Sequence, residues 1–229
     1  MIPTIIYLVL RWYKRNNPVK AERLAIVFRK INRMLVILIA LMLICYIALP
    51  QTTQLQYNVK RKGNQVGSIS FSQQNSGNKK VLRIDSEIKA RILFLFTAIG
   101  QEESVYENGV MVWSSVYQRL NGNERMNKKT MLKGRNYVVT KGKYSDTIGN
   151  YPISYNMICL YASEPVHVPK VYSDNFQRFL DIQTIGDHHY KIVFPEGNYN
   201  EYYYSHGLCT RVEVYHRLYR SSFELKKLK

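Results

Sequence analysis

The chain has 229 residues, of which 46% are hydrophobic and 13% are aromatic, and its formal net charge is +17. The absence of an Asn-x-Ser/Thr sequon disfavours a glycosylated secretory protein. Residues 51–229, which follow an apolar stretch, are long enough for one domain with a sizeable core. They retain a net charge of about +10, which is typical of proteins that meet anionic partners.

Residues 1–33 form a basic lead. They contain eight lysine and arginine residues against one acidic residue, Glu22. Cationic flanks stay on the cytoplasmic side of a membrane, so we predict that this lead is cytoplasmic and that residues 51–229 lie outside the cytoplasm. An outside location disfavours nucleic acid as the anionic partner.

Residues 34–50 are predicted to be a transmembrane helix or the core of a signal peptide. Met34–Leu49 (MLVILIALMLICYIAL) is a run of sixteen residues without a charge. This length lies between the roughly 7–15 residues of a secretory core and the roughly 20 of a membrane span. Ala48 suits a cleavage site, but the bulky Tyr46 occupies the partner position. We therefore favour an uncleaved membrane anchor, with a cleaved signal and secretion as the alternative.

Residues 51–229 have the composition of a β domain. Tyrosine occurs 19 times in the chain, and short apolar runs are separated by glycine, which is typical of strands. The clearest strand covers Leu82–Ile92, where apolar and charged residues alternate with a period of two. It continues into Ile92–Phe96, which is apolar on both faces and indicates a bend or a strand covered on both sides.

Turn signals divide the rest of the domain into short strands. Asn108-Gly109 and Asn121-Gly122 predict hairpin turns, because both central residues of such turns need a positive φ. Ser154–Tyr161 is predicted to be an apolar strand, Phe176–Leu180 a short helix, and residues 189–215 a three-stranded meander. Together these patterns predict a mainly β fold, a single antiparallel β-barrel of roughly ten strands, since closure removes exposed edges.

Several segments, taken in order, resemble an uncharacterised family of secreted bacterial proteins that is known only as a domain of unknown function. The resemblance covers nearly all of residues 55–228 and rests on Val59–Gly67 (VKRKGNQVG), Asp85–Phe96 (DSEIKARILFLF), Asn108–Ser115 (NGVMVWSS), Asn121-Gly122, Leu160–Pro165 (LYASEP), Pro195–Tyr204 and His206–Val214 (HGLCTRVEV). It implies an envelope or secreted β-barrel domain of a bacterium and brings no activity or catalytic residues. The long basic lead departs from a plain secretory start.

Four residues are candidate ligand-binding residues. Arg91 lies where the long strand becomes apolar on both faces, and Glu164 precedes a proline, so either is a candidate for a partly buried charge. Such a charge either pairs within the protein or recognises the headgroup of a ligand. Tyr202 and Tyr204 lie in a tyrosine-rich strand that either lines a ligand cleft or packs in the core, because tyrosine combines an apolar ring with a polar hydroxyl.

Cys159 and Cys209 are the only cysteines outside the apolar run. In an oxidising compartment they are candidates for one disulfide, and two separately buried thiols are the alternative. His206 lies three residues before Cys209, but no second half-site for zinc accompanies this pair. We predict neither a metal site nor a cofactor.

These observations favour a non-catalytic domain of the bacterial cell envelope, attached to the membrane through Met34–Leu49. We expect it to bind an amphipathic, acyl-type or anionic envelope ligand, or an envelope partner, because the apolar face of Leu82–Phe96 lies next to charged residues. The alternative is an envelope glycan hydrolase that uses carboxylates predicted to lie in loops, namely Glu102, Glu103 and Glu164. A hydrolase requires a deep polar cleft with two facing carboxylates, which distinguishes the two hypotheses.

Overall fold

The computed structural model of the protein describes residues 30–39, 51–91, 95–149 and 152–226. Residues 30–39 form a helix, α1, which covers the start of the predicted apolar run; the remainder of that run lies outside the described residues. Within the described ranges, no helix is both long and apolar enough to cross a bilayer. The chain divides after Leu49 into two units, and the second unit is described below.

The second unit consists almost entirely of β-strands. Alternation of apolar and polar residues produces them: on β1 (Gln51–Arg61), for example, Leu55, Tyr57 and Val59 are buried on one face. The remaining strands are β2 (Asn64–Ser76), β3 (Lys79–Arg91), β4 (Leu95–Glu107), β5 (Val110–Leu120), β6 (Asn123–Lys133), β7 (Asn136–Lys141), β8 (Tyr144–Ile148), β9 (Lys170–Ser173), β10 (Arg178–Gly186), β11 (His189–Val193), β12 (Tyr199–Ser205), β13 (Leu208–His216) and β14 (Tyr219–Leu225).

The fourteen strands of the described residues belong to one sheet, in the order β8-β7-β6-β5-β4-β3-β2-β1-β14-β13-β12-β11-β10-β9. All neighbouring strands are antiparallel. They are also consecutive in the chain, except that the first strand, β1, pairs with the last strand, β14. The predicted mainly β, antiparallel fold is therefore confirmed. The predicted number of strands was too low. The sheet is also open, because the order of its strands ends at β8 and β9 and no ladder joins these two strands.

The hairpin turns form where the sequence predicts them. Asn108 and Gly109, with φ of 51° and 79°, join β4 to β5. Asn121 and Gly122, with φ of 50° and 82°, join β5 to β6. The long alternating strand is also confirmed as β3. Ile92–Phe96 was predicted to be a bend or a strand covered on both sides: residues 92–94 lie outside the described residues, and Leu95, which begins β4, is 66% exposed.

The segment between β8 and β9 contacts both halves of the sheet from its inner side. We call described residues 152–169 the plug. The backbone N–H of Met111, on β5, donates a hydrogen bond to the carbonyl oxygen of Ile153 at 2.8 Å. The hydroxyl of Tyr204, on β12, donates to the carbonyl oxygen of Leu160 at 2.8 Å. The plug thus ties together strands from both halves of the sheet.

Two local predictions fail at and near the plug. Ser154–Tyr161 is not a strand: it contains a bridge residue, a turn and the start of the short helix α2 (Cys159–Ala162). Phe176–Leu180 is not a helix, because it ends a turn and begins β10. A short apolar run does not distinguish a strand from a buried helix, and residues 158–161 are buried although they form no strand.

Tyrosines dominate the core of the sheet. Five of them, Tyr57, Tyr106, Tyr137, Tyr172 and Tyr202, are among the largest fully buried side chains. The hydroxyl of Tyr57 donates to the carbonyl oxygen of Cys209 at 2.9 Å, and that of Tyr137 donates to the carbonyl oxygen of Met111 at 2.8 Å. Each such residue buries an aromatic ring and still satisfies its hydroxyl, as buried polar groups require.

Candidate functional site

A cavity of about 210 Å³ lies on the inner side of the sheet. Its apolar lining includes Ile69, Ile84, Ile88 and Phe223 from strands β2, β3 and β14, and further apolar side chains from the plug and from Phe194. Its polar lining includes Glu102, Asp174, Asn175, Asn200 and Tyr202. The cavity therefore combines an apolar wall with a group of carboxyl, amide and hydroxyl groups, which is the usual character of a small-molecule site.

The strand register places Glu102 inside. Glu102, on β4, pairs directly with Ile84 on β3 and with Val116 on β5, and both partners are buried. Directly opposite residues in an antiparallel pair share a face of the sheet. The next residue, Glu103, has the opposite orientation and accepts a hydrogen bond from Arg83 Nε at 3.0 Å. The predicted loop carboxylates Glu102 and Glu103 are thus strand residues on opposite faces.

Glu102 is a carboxyl group in an apolar setting. Burial, with a smaller contribution from the charge of Asp174, raises the pKa of Glu102 to about 7. No hydrogen bond or ion pair joins its carboxyl to another residue in the described part of the chain. The side chain is partly buried, so ionisation without a partner is less favourable here than in water.

The second carboxyl of the cavity belongs to a hydrogen-bonded cluster. Asp174 accepts hydrogen bonds from the hydroxyl of Ser114 and, at 2.8 Å, from Asn156 Nδ2. Asn156 Oδ1 accepts from the hydroxyl of Tyr106 at 2.7 Å, and Asn156 Nδ2 lies 2.7 Å from Ser104 Oγ. We call these five residues the Asn156 cluster. Burial raises the pKa of Asp174 to about 6, although the bonds from Ser114 and Asn156 oppose this rise.

Asn175 adds a second unpartnered acceptor to the cavity lining. Its Oδ1 is buried and has no hydrogen-bond partner among the described residues. Its backbone carbonyl oxygen, in contrast, accepts from Lys128 Nζ. Buried polar atoms are normally hydrogen-bonded, so a buried acceptor without a donor next to a cavity requires an explanation.

A second, apolar cavity of about 140 Å³ adjoins the first. The two cavities share Ile88 and Phe223 in their linings. Most of the remaining lining is apolar: Val59, Val66, Ala90, Phe96, Ala98 and Val214. The interior thus offers a polar chamber next to an apolar one, with two side chains at their common boundary.

The two predicted tyrosines both face the interior, but only one lines the cavity. Tyr202 is buried, belongs to the cavity lining and lies 3.3 Å from Asn200 Nδ2, from which its hydroxyl accepts. Tyr204 holds the plug through Leu160. The intervening Tyr203 points to the other face, where it stacks on His189. Alternation along the strand therefore places Tyr202 and Tyr204 on the inner face and Tyr203 on the outer face.

The two predicted charged candidates lie away from the cavity lining. The side chain of Arg91 is exposed at the end of β3, so the prediction of a partly buried arginine is wrong. The side chain of Glu164 is 7% exposed, as predicted for a buried charge. Glu164 accepts from the hydroxyl of Tyr190 at 2.8 Å and lies 2.9 Å from His188 Nδ1, so protein groups satisfy it.

The predicted disulfide is not formed. Cys159 and Cys209 are both free and buried. The thiol of Cys159, on α2, lies 3.2 Å from the hydroxyl of Tyr106, next to the Asn156 cluster, and Cys209 lies on β13. The structure therefore matches the alternative of two separately buried thiols.

Sequence reasoning missed Asn156 and Asp174. Asp174 lies in a Ser-Asp-Asn stretch that suggested a helix cap, and Asn156 lies in a stretch predicted to be a strand. A run of polar residues beside apolar ones at both positions was the available signal. The predicted hydrolase trio does not assemble, because Glu102 lines the cavity, Glu103 lies on the opposite face, and Glu164 pairs with His188 and Tyr190.

Comparisons with known proteins place the chain in a family. No curated protein matches it. Among solved structures, it is similar to a crystal structure of a β-barrel-like protein of domain of unknown function DUF1849 from Brucella abortus, with a TM-score of 0.49 and 9% sequence identity over 76% of this chain and 95% of that chain. The family model of a domain of unknown function, DUF6134, matches residues 57–226. The chain therefore belongs to the DUF6134 family.

Proposed function

We propose that residues 51–226 form a non-catalytic binding domain that takes a small amphipathic amine into the cavity beside Glu102. The observation that carries this proposal is the carboxyl of Glu102, which lines the cavity. Its pKa is raised, and it has no hydrogen-bonding partner among the described residues. A functional-site candidate is expected where a perturbed carboxyl faces a cavity with a few polar groups.

The unpartnered groups select the charge of the ligand. Glu102 and Asn175 Oδ1 both accept hydrogen bonds, so a ligand that matches them must donate. An ammonium group donates up to three hydrogen bonds and carries the charge that favours ionised Glu102. A carboxylate headgroup, in contrast, would place a second negative charge next to Glu102 and Asp174. We therefore favour an amine over a fatty acid.

The walls of the cavity select the rest of the ligand. The apolar wall and the adjoining apolar chamber beyond Ile88 and Phe223 suit a hydrocarbon tail. Drug-sized ligands occupy pockets of about 300–1,000 Å³, whereas the polar chamber measures about 210 Å³. This size favours a short tail over the long acyl chain of a membrane lipid.

The state of Asp174 favours binding over hydrolysis. Glycoside hydrolysis uses two carboxyl groups, one as acid and one as base or nucleophile, and both must reach the substrate. Asp174 accepts hydrogen bonds from Ser114 and Asn156 on its two oxygens, so it is committed to the fold. Of the two carboxyl groups in the cavity lining, only that of Glu102 is available to a ligand.

The location of the domain is part of the proposal. The basic lead of residues 1–33 and the uncharged run of residues 34–49 support a single anchor with residues 51–229 in the cell envelope. Protease added to intact spheroplasts should then remove the domain. Full protection of the domain under conditions that digest a known external protein would contradict this topology.

Titration calorimetry with n-hexylamine tests the proposed ligand. We expect the full chain to bind hexylamine and to bind n-hexanol, which lacks the charge, at least tenfold more weakly. Because an ammonium favours ionised Glu102, binding near pH 7 should also release about half a proton per ligand, measured by comparing buffers of different ionisation enthalpy.

Two variants provide a matched control. Glu102→Gln removes the carboxyl in the cavity, and Glu103→Gln makes the same change on the opposite face of the same strand. We expect E102Q to weaken hexylamine binding at least tenfold and E103Q to leave it unchanged under the same conditions. Equal binding by the two variants, or equal binding of hexylamine and hexanol, would exclude an amine site at Glu102.

A further inference from the structure

An open groove of about 700 Å³ lies at one end of the strand order, where residues of β6, β7 and β8 line it. Four basic residues line it, Arg125, Lys128, Lys141 and Lys143, together with one acidic residue, Glu124. Tyr144, which is 82% exposed, lies beside them at the start of β8. This groove is separate from the amine cavity and shares no lining residue with it.

Two of the lysines face each other across paired strands. Lys128 on β6 and Lys141 on β7 are direct partners in the strand register, so their side chains lie on the same face. Like charges directly opposite each other destabilise a sheet. Consistent with this arrangement, burial and the charge of Lys141 lower the pKa of Lys128.

The surroundings do not neutralise this pair. The ion pairs of the described residues include none of the basic residues between positions 123 and 148, which are Arg125, Lys128, Lys129, Lys133, Arg135, Lys141 and Lys143. The two acidic residues of the same stretch have local partners. Glu124 accepts from Asn127 at 3.4 Å, and Asp146 accepts from the backbone N–H of Thr147 at 2.7 Å. The groove thus keeps an excess of positive charge.

We propose that this groove binds a phosphate group between Lys128 and Lys141, with Arg125 and Lys143 at its sides. A phosphate ester carries more than one negative charge and several strong acceptor oxygens, so one group can pair with both ammonium groups and remove their repulsion. Lysine and arginine are the usual side chains for such recognition. The phosphate belongs either to a free phosphate compound or to the headgroup of a phospholipid.

The site has a defined relation to the cavity. Val116 on β5 pairs with Glu102 on one side and with Lys128 on the other, so the two sites share a face of the sheet with one residue between them. Their ligands carry opposite charges. The groove does not depend on the amine proposal, and E102Q should leave phosphate binding intact.

Titration of the full chain with pyrophosphate at low chloride concentration tests the site. Lys141→Gln is the informative variant, because Lys128 also donates to the carbonyl of Asn175 and its replacement would disturb the fold. Lys129→Gln is the matched control: it makes the same charge change on the neighbouring strand β6, on the opposite face of the sheet. We expect K141Q to weaken pyrophosphate binding at least tenfold and K129Q to weaken it less than twofold.

A second probe identifies the source of the phosphate. Dihexanoyl phosphatidylglycerol, kept below its micellar concentration, presents a phospholipid headgroup in solution. Binding of this lipid that is tighter than that of pyrophosphate and lost in K141Q would indicate a headgroup site. Tighter binding of pyrophosphate with the same dependence on Lys141 would indicate a free phosphate compound. Binding of neither probe, or equal loss of binding in K141Q and K129Q, would overturn the proposal.

Discussion

The Asn156 cluster and the cavity wall at Glu102 are neighbouring regions that treat a buried carboxyl in opposite ways. In the cluster, Asp174 receives hydrogen bonds from Ser114 and Asn156, and Asn156 is itself held by Tyr106. In the cavity, Glu102 receives no such bond from the described residues. Burial raises the pKa of both carboxyl groups, to about 6 for Asp174 and about 7 for Glu102.

This difference separates a structural polar group from one that awaits a ligand. A satisfied buried network rigidifies the fold, and removal of one member leaves the others without partners. A partly buried carboxyl without a protein partner instead destabilises the empty protein once it ionises, and a matching ligand removes the penalty. Replacements in the cluster should therefore destabilise the protein, whereas replacement of Glu102 should stabilise it.

Asn156→Leu should produce the largest effect. The change removes the donor to Asp174 and the acceptor of Tyr106, and it leaves a buried carboxyl without its amide partner. We expect the free energy of unfolding to fall by about 2–6 kcal/mol, because two buried groups lose a partner at about 1–3 kcal/mol each. Chemical denaturation measures this change.

Asn127→Leu is the control for N156L. Asn127 is exposed and contacts only Glu124 at 3.4 Å through its side chain, so its replacement should alter the free energy of unfolding by less than about 0.5 kcal/mol. A loss below about 1 kcal/mol in N156L would show that the Asn156 cluster does not hold the fold together.

Glu102→Gln should stabilise the ligand-free protein in a pH-dependent way. The pKa of Glu102 rises from an ordinary value of 4.5 to about 7 on folding, so the folded state binds its proton more tightly. The wild-type protein therefore loses stability as the pH rises from about 4.5 to about 7, and E102Q lacks this loss. We expect the variant and the wild type to be similar at pH 4.5 and to differ by as much as about 3 kcal/mol at pH 8.

Denaturation at several pH values, without added amine, measures this difference. A difference in the free energy of unfolding that does not change with pH would contradict the buried, unpaired state of Glu102. E103Q again serves as the control, because Glu103 pairs with Arg83 on the opposite face of the sheet.

Tyr204→Phe should have an intermediate effect. The change removes the hydroxyl that donates to the carbonyl oxygen of Leu160, and a buried acceptor without a donor costs about 1–2 kcal/mol of stability. Tyr203→Phe removes a hydroxyl on the other face, where it donates to Glu201 at 3.1 Å and is only partly buried. A larger loss in Y203F than in Y204F would indicate that the contact with the plug contributes little.

Arg91→Ala should have the smallest effect. Its side chain is exposed, and the contact with Arg61 uses the backbone carbonyl of Arg91, which the substitution keeps. We expect the free energy of unfolding to change by less than about 0.5 kcal/mol and hexylamine binding to stay the same. A clear loss of hexylamine binding would show that Arg91 contacts the ligand and would contradict this prediction.

Much of the sheet could be predicted from local patterns. The alternation in β3 and the Asn-Gly turns at positions 108 and 121 are properties of neighbouring residues, and both form as predicted. The plug could not be predicted in the same way. Its buried residues, among them Ile153, Asn156 and residues 158–161, show no clear period, because the segment is irregular and contacts both halves of the sheet.

The sites depended on pairings between distant residues. Tyr202 was predicted as a candidate, and it lines the cavity. Glu102 was predicted as a loop carboxylate. Its orientation followed only once it was placed on β4, where successive side chains point to opposite faces. Asn156 and Asp174 meet Ser104 and Ser114 only after the plug and β9 reach β4 and β5, so no short-range pattern joins them.

The sequence by itself determined the β class, the turns and the face on which most strand residues lie, because these follow from the backbone period and from the φ preferences of Asn and Gly. Only the tertiary structure decided that the sheet has open ends, that the plug contacts both of its halves, and which carboxyl keeps a partner. Hydrogen bonds between residues 50 or more positions apart make this last distinction: Tyr106 and Ser104 reach Asn156, and Ser114 reaches Asp174, whereas the fold brings no donor to Glu102 from the described residues.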